Sequence, residues 1–332
     1  MQRIPFQDLY DDINRVLVKT GFAEPRAALV ARFFAENQRD GVYSHGLNRF
    51  AGFVSLIKSG RLDIHARPEK VGGLGVVEQW DGKMGVGLWN AHVGMSRAIE
   101  LALEHGMGCV GLRNTNHWMR AGTYGLQAAD AGCIGICWTN TIPLMPPWGS
   151  ADVKIGNNPL VIAVPRRDGH LLLDMAMSQY SNGKLEVLSR QGNDLPIVGG
   201  YDRAGNPTRN PGEILASRRA LPIGHWKGSA LAVMLDAAAA LVSGGQSSHE
   251  IGQQGAEYAV SQVFIAINVT ALAGESGANE TANAIVENLH TASPLAGGEV
   301  RYPGEGMLRM RQQSLEQGVL VDETHLAELR AM

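Results

Sequence analysis

The order of apolar periodicities predicts an α/β (α+β) fold for this 332-residue chain, with a mixed sheet in the middle and a helical domain assembled from both ends. Three observations carry that prediction. Apolar residues recur at helical spacing through the first seventy residues and again in the C-terminal segments. Between them, short apolar runs of strand length alternate with helical stretches. No glycine-rich turn leads from a strand into a helix, as a doubly wound nucleotide fold requires. The expected division is a helical domain over 1–70, joined by C-terminal helices within 276–332, and a mixed-sheet α/β domain over 71–275.

The elements follow in order. Phe6, Leu9, Ile13, Val16 and Leu17 define a first helix, which Gly21 stops. Pro25 opens a second, with Leu29, Val30, Phe33 and Phe34 on its apolar face and Gly41 past its end. Ser44 is placed to N-cap a third, whose face is Leu47, Phe50, Phe53, Val54 and Ile57, with Gly60 as its stop. The period then changes: 75–82 suits a strand and turn, and a helix follows over about 90–104. Strands are expected at 109–112, 134–138, Leu160–Val164 and Leu171–Met175. The almost continuous apolar run 263–269 reads as a central strand. Residues 227–242 form a long helix that is apolar on most faces, which predicts burial. The tail returns to helices at about 279–290, 305–317 and 324–332, so the two ends are expected to pack together.

Composition excludes several classes. The net charge is -3, from 29 Lys+Arg against 32 Asp+Glu, with no basic block, which argues against a nucleic-acid partner. The start is mixed and polar, unlike a signal peptide, and Asp236 breaks the longest apolar candidate, 230–242, so no membrane partner is expected. Three cysteines, Cys109, Cys133 and Cys137, point to a reducing compartment, and the cytoplasm is the expected location. Cys133 and Cys137 flank the apolar Ile134-Gly135-Ile136, so packing is the reading and no metal is expected.

The residues that carry chemistry stand at the ends of these elements. His45 and Arg49 are four apart, so both can reach one pocket. An imidazole passes protons near neutral pH, and a guanidinium grips a carboxylate through paired hydrogen bonds. That combination suits carbonyl reduction on an acidic substrate. A second histidine, His117 in Asn116-His117-Trp118-Met119-Arg120, stands where a strand ends and a helix begins. Asn157, in Gly156-Asn157-Asn158-Pro159, either holds a turn or bonds a polar ligand. Asp174 either caps a helix or lets a ligand approach a strand end closely. Lys227 and Gly304-Glu305-Gly306 head two helices, as surface and turn residues or as contacts for phosphate or ribose. The run Gly106-Met107-Gly108-Cys109-Val110-Gly111 matches a dinucleotide fingerprint by letter, but a helix precedes it and a strand follows. Gly106 is therefore read as a helix C-cap.

Taken together, these motifs resemble the malate/L-lactate dehydrogenase family that is unrelated to the Rossmann-type enzymes, a group that includes ureidoglycolate and sulfolactate dehydrogenases. The likeness rests on Ser44-His45-Gly46, Asn116-His117-Trp118-Met119-Arg120, Met145-Pro146-Pro147-Trp148-Gly149, the segment 180–186 and His225-Trp226-Lys227-Gly228-Ser229, and it runs from Leu9 to the last helix. It implies a non-Rossmann cofactor domain and NADH-dependent reduction of a keto acid by hydride transfer to the C2 ketone. His45 is then the proton donor and His117 the alternative acid/base, with Ser44, Arg49 and Asn157 on the substrate. His170, Leu171, Leu172, Leu173, Asp174, Met175, Ala176, Trp226, Lys227, Gly304, Glu305 and Gly306 are implied to hold the cofactor. The resemblance also implies a homodimer. Many relatives have Gly-Thr-Asn-Pro where this chain has Gly156-Asn157-Asn158-Pro159. Arg166, Arg167 and His170 stand near the cofactor segment and leave NADPH open. The alternatives are another 2-hydroxy acid dehydrogenase, of malate, lactate or ureidoglycolate type, and a metal-dependent lyase or isomerase using His45 and His117 as ligands.

Overall fold

The computed structural model describes residues 1–332. The chain opens with a short strand, β1 (Gln2–Ile4), and three helical segments: α1 (Phe6–Lys19), α2 (Glu24–Arg39) and α3 (Leu47–Lys58). Pro25 stands in the first turn of α2, where its missing N–H costs nothing. A 3-10 turn, Tyr43–His45, intervenes before α3.

The middle builds one seven-stranded sheet. β2 (Glu69–Leu74) and β3 (Val77–Asp81) form a hairpin, and α4 (Gly87–His105) crosses over to β4 (Met107–Thr115). α5 (Gly122–Asp130), β5 (Cys133–Thr139), β6 (Leu160–Val164) and β7 (Leu171–Met175) follow. The next segment carries α6 (Asn182–Arg190), a small hairpin of β8 (Gly200–Tyr201) and β9 (Pro207–Thr208), α7 (Pro211–Ser217), α8 (Trp226–Ser243) and α9 (Ser248–Gln253). β10 (Val260–Asn268) then enters the sheet, whose order is β2-β3-β4-β10-β5-β6-β7. Only β3 and β4 pair in parallel; every other ladder of this sheet is antiparallel. β10 is central, as its apolar run predicts, and β7 is an edge strand. The chain closes with α10 (Val269–His290), kinked at Gly274, then α11 (Glu305–Gln317), β11 (Val319–Val321) and α12 (Glu323–Ala331).

The two ends meet: β1 pairs with β11, Gln2 opposite Val321. One apolar core of 43 buried residues runs from Ile4 through α1–α5 and the sheet to Leu329. A smaller core of 13 lies on the other sheet face, where Ala232, Leu235 and Ala239 of α8 meet Cys109, Trp138 and Val263.

α8 departs from the expectation of burial. It is long and apolar enough to cross a membrane by length and composition, yet only a third of it is buried in the chain. Asp236 turns inward and accepts from Asn140 Nδ2 at 2.9 Å and Ser248 N at 2.8 Å. Trp226, Leu231, Val233, Met234 and Leu241 lie on the outside, with Met234 66% and Leu241 79% exposed. A composition apolar on all faces satisfies one side against the sheet and leaves the other bare.

The fingerprint-like glycines have packing roles. Gly106 ends α4 in the left-handed region at φ 87. Gly111 lies in β4, where a Cβ would stand 2.7 Å from the Val242 carbonyl oxygen of α8.

Candidate active site

His45 belongs to the 3-10 turn, held from behind by Asn37, whose Nδ2 donates to the His45 carbonyl at 2.9 Å. Ser44 does not cap α3. Gln38 does so, its Oε1 accepting from Leu47 N at 3.0 Å. The Ser44 hydroxyl instead meets His45 Nδ1 at 3.0 Å, because the helix starts only after Gly46. Arg49 lies in the first turn of α3, exposed, with its Nε donating to the Ser44 carbonyl at 3.2 Å.

His117 leaves the end of β4. Asn116 fixes the exit by donating to the carbonyls of Met84 at 2.8 Å and Gly85 at 2.9 Å. Met119 takes a positive φ of 61, which lets its backbone N–H donate to His117 Nδ1 at 2.9 Å. The two imidazoles stack, with ring centroids 5.6 Å apart and planes 16° from parallel.

Their electrostatics are shared. Burial pushes the half-buried His45 down to about 3, and the neighbouring His117, Arg49 and Arg120 push in the same direction. His117, an exposed residue, is also lowered, by desolvation of the ring among its neighbours first and by Arg49, with Glu257 opposing. Arg49 thus lowers both rings, from its place beside the Ser44 carbonyl. In the ligand-free chain both imidazoles are neutral near pH 7.

A buried hub supports this arrangement, and sequence reasoning missed it. Asp40, at the end of α2, is 4% exposed. It accepts from Arg39 Nε at 2.7 Å, Arg120 Nη1 at 2.8 Å, Arg311 Nε at 2.9 Å and Arg311 Nη2 at 2.7 Å. Although burial alone raises a carboxyl, the arginines hold Asp40 far below the usual carboxylate range. The hub joins α2, the loop that carries His117, and α11. The available signal was an aspartate at a helix C-terminus, where the helix dipole disfavours it.

The residues expected to hold the cofactor converge on the free edge of the sheet. Leu172 N, on the outer side of β7, donates to Pro303 O at 2.7 Å, so the turn before α11 docks there. Gly304 has φ 100, and a Cβ on it would stand 3.1 Å from Leu172 N and 3.2 Å from His170 O. Strand alternation turns the Asp174 N–H and C=O outward as well. At the far end, Ile223 N donates to Met177 O at 2.8 Å, bringing the loop before Trp226 and Lys227 alongside. Trp226 is 61% exposed, and Trp148 stacks on His225 at 4.9 Å.

Several of these side chains have structural work. Asp174 caps a helix: its Oδ2 accepts from Gly122 N, the first residue of α5, at 2.8 Å. Glu305 closes its own turn, with Oε2 accepting from Tyr302 N at 3.1 Å and pairing with His290 at 3.0 Å. His170 bonds Arg166 N at 3.0 Å and Asp130 at 2.9 Å. Asn157 lies just before β6, at the same end of the sheet as His117 after β4. Its Oδ1 accepts from Thr141 Oγ1 at 3.0 Å, which leaves only Nδ2 without a protein partner. Asn158 is wholly structural, accepting from Thr141 N at 3.0 Å and donating to Ala232 O at 2.8 Å. The helix α6 also borders the site, with Gly183 against Ser44. Cys109, Cys133 and Cys137 are buried free thiols. No group of three His, Cys, Asp or Glu side chains converges to ligate a metal.

Comparison with known proteins follows this geometry. The malate/L-lactate dehydrogenase family profile matches residues 4–330. The 2,3-diketo-L-gulonate reductase of Citrobacter koseri is 44% identical, covering 99% of this chain and 100% of its own. Among solved structures, sulfolactate dehydrogenase from Methanocaldococcus jannaschii superposes with a TM-score of 0.91 at 27% identity, covering 99% of this chain and 96% of its own. Malate dehydrogenase from Entamoeba histolytica gives 0.93 at 26%, with the same coverage.

Proposed function

The chain belongs to the malate/L-lactate dehydrogenase family, and from that premise we propose that it reduces 2,3-diketo-L-gulonate to 3-keto-L-gulonate at the C2 ketone, with NADH. The observation that carries this reading is the stacked His45–His117 pair, 5.6 Å apart, under the charge of a single exposed arginine. The relatives named for this reaction support the choice of substrate. Turnover of oxaloacetate or pyruvate in place of the diketo acid would move the assignment to a malate or lactate type. The metal-dependent lyase reading has little support, since neither histidine has a third ligand beside it.

The edge of β7 fits a nicotinamide cofactor. Gly304 is packed flush against β7, where a Cβ would meet Leu172 N and His170 O, so the turn before α11 is held beside the outward backbone groups of Asp174. Residues 170–176, 226–227 and 304–306 would hold the cofactor, which when bound supplies the hydride. NADH is favoured over NADPH because the nearby cations are committed. Arg166 donates to Gly169 O, Asp168 O, Asn283 and Tyr302, and Arg167 pairs with Glu275 at 3.0 Å.

The protein's own groups account for the rest. Arg49 pairs with the substrate carboxylate and orients the ketone, with the Asn157 amide as a further donor. That pairing offsets the Arg49 charge and sets a carboxylate beside the ring, both of which raise the pKa of His45 and favour its protonated form. As negative charge builds on the ketone oxygen, His45 donates that proton, a contribution of roughly a hundredfold to ten-thousandfold in rate. Ser44 holds Nδ1 and keeps Nε2 for the substrate. Two copies of the chain would cover the bare apolar face of α8 as a homodimer, and the buried free thiols suit the cytoplasm.

The test is oxidation of NADH and NADPH with 2,3-diketo-L-gulonate and a panel of other 2-keto acids, for the wild type and His45→Ala. The expected result is turnover of the diketo acid, with a loss of at least about a hundredfold in the variant and unchanged NADH binding. No turnover of any keto acid would sink the reading.

A further inference from the structure

Building on the reductase reading, we propose that the stacked imidazoles work in different, fixed proton states: His117 is a permanently neutral Nε2–H donor to the reacting oxygen, and His45 alone carries the transferable proton.

The geometry at His117 decides its tautomer. The Met119 backbone N–H donates to His117 Nδ1 at 2.9 Å, so Nδ1 must be the acceptor and the ring proton must sit on Nε2. An imidazolium would carry a second proton on Nδ1 and set two donors against each other. A backbone amide cannot rotate away as a hydroxyl can, and Met119 is already held in the left-handed region at φ 61. His45 differs in this respect. Its Nδ1 faces the Ser44 hydroxyl at 3.0 Å, which can donate to a neutral ring or accept from a charged one.

The surroundings agree. His117 is faced by His45 from the 3-10 turn, Arg49 from α3 and Glu257 from the loop before β10. The carboxylate alone favours a charged ring; the guanidinium and the packing of the ring against His45 oppose it. His45 is faced by His117, Arg49 and Arg120, and of these a substrate carboxylate directly offsets Arg49. Two imidazolium ions stacked at 5.6 Å would repel each other, so a division of states is also the electrostatic minimum.

The cofactor, when bound, would supply the hydride to the carbonyl carbon, and the carbon–oxygen π pair would move to oxygen. The N–H bond of the His45 imidazolium breaks, its proton completes the alcohol, and its electron pair returns the ring to neutral. His117 keeps its Nε2 proton throughout and only donates a hydrogen bond to the developing alkoxide, as an oxyanion-hole group does.

The experiment pairs a spectroscopic readout with kinetics. Nitrogen-15 NMR of histidine-labelled protein reads the tautomer directly, and the signals lost in His117→Gln identify His117 among the ten histidines. The expected pattern is a pyridine-like Nδ1 and a pyrrole-like Nε2, unchanged from about pH 8 to about pH 5, the range in which a free histidine titrates. Titration of His117 within that range, or an Nδ1–H tautomer, would overturn the proposal. The kinetic arm compares His117→Gln with His117→Ala. Both remove the acceptor for Met119 N–H, but only glutamine returns an N–H near the position of Nε2. Glutamine should hold turnover within about tenfold of wild type and leave the acid limb of the pH profile in place, whereas alanine should lose about a hundredfold, the usual cost of an oxyanion donor. Equal losses in the two variants, or disappearance of the acid limb in His117→Gln, would refute the role. Failure to turn over any keto acid would count against the reductase reading itself, while the NMR pattern would still decide the proton state.

Discussion

Asp40→Asn removes one charge from a site that holds three arginines, and its cost can be worked from their individual exposures. Asparagine keeps the shape and one acceptor oxygen. Arg311 is 30% exposed and regains water, and Arg39 keeps Glu36 at 3.5 Å. Arg120 is 3% exposed and has no other anion within bonding distance, so only the more distant Asp174 carboxylate opposes its charge and most of that charge is left uncompensated. Stranding one partner of a buried pair costs about 3 kcal/mol or somewhat more. With an unfolding entropy of about 2.1 cal/mol/K per residue, a chain of 332 residues melts about 4 °C lower for that loss. The assay is thermal unfolding of both proteins at equal concentration, since association shifts the midpoint. The pH dependence has a definite sign. The folded pKa of Asp40 lies below its unfolded value, so its stabilisation is complete above the unfolded pKa and fades as pH falls toward the folded one. The gap between wild type and variant should therefore be constant from neutral pH to about pH 5 and narrow below about pH 4. A fall of less than 1 °C at pH 7, or a gap that widens in acid, would refute the account of the hub.

Three further outcomes follow from the site. Arg49→Ala should raise KM for the keto acid about a hundredfold, equivalent to about 3 kcal/mol for a charge-assisted pair, and an equal loss on an uncharged ester of the substrate would undo the assignment. Gly304→Ala forces a side chain into φ 100 with its Cβ 3.1 Å from Leu172 N, so KM for NADH should rise several-fold, and an unaltered value would remove the β7–α11 junction from the cofactor site. Met234→Glu and Leu241→Glu place charges on the bare face of α8 and should convert a dimer to monomers in analytical ultracentrifugation; a wild type that is already monomeric would end the proposed pairing.

Legibility tracked locality. β6, β7 and α11 were readable to the residue because their signals are short-range: an apolar run between turns, or a glycine just before a helix. β1 and β11 were not, since each is three residues long and is defined only by a partner at the other end of the chain. α7, with seven residues, and the β8–β9 hairpin are too brief for periodicity. The burial expected for α8 failed because composition cannot distinguish a helix buried on every side from one that packs a single face on the sheet. At the site, the residue types announced His45, Arg49 and His117. The Asp40 hub stayed hidden because its arginines lie at 39, 120 and 311. The helix cap by Asp174 and the turn at Glu305 were among the readings offered, but their partners, Gly122 and His290, come from other elements and could not be named.

The reach of that hub sets a condition on biosynthesis. A chain emerging from the ribosome presents position 40 and position 120 long before position 311. Until the penultimate helix clears the exit tunnel, the segment bearing the second imidazole lacks one of its two lateral braces. The proposed activity should therefore arrive late, almost with termination, and a truncation that removes the last two helices should leave a slack His117 loop.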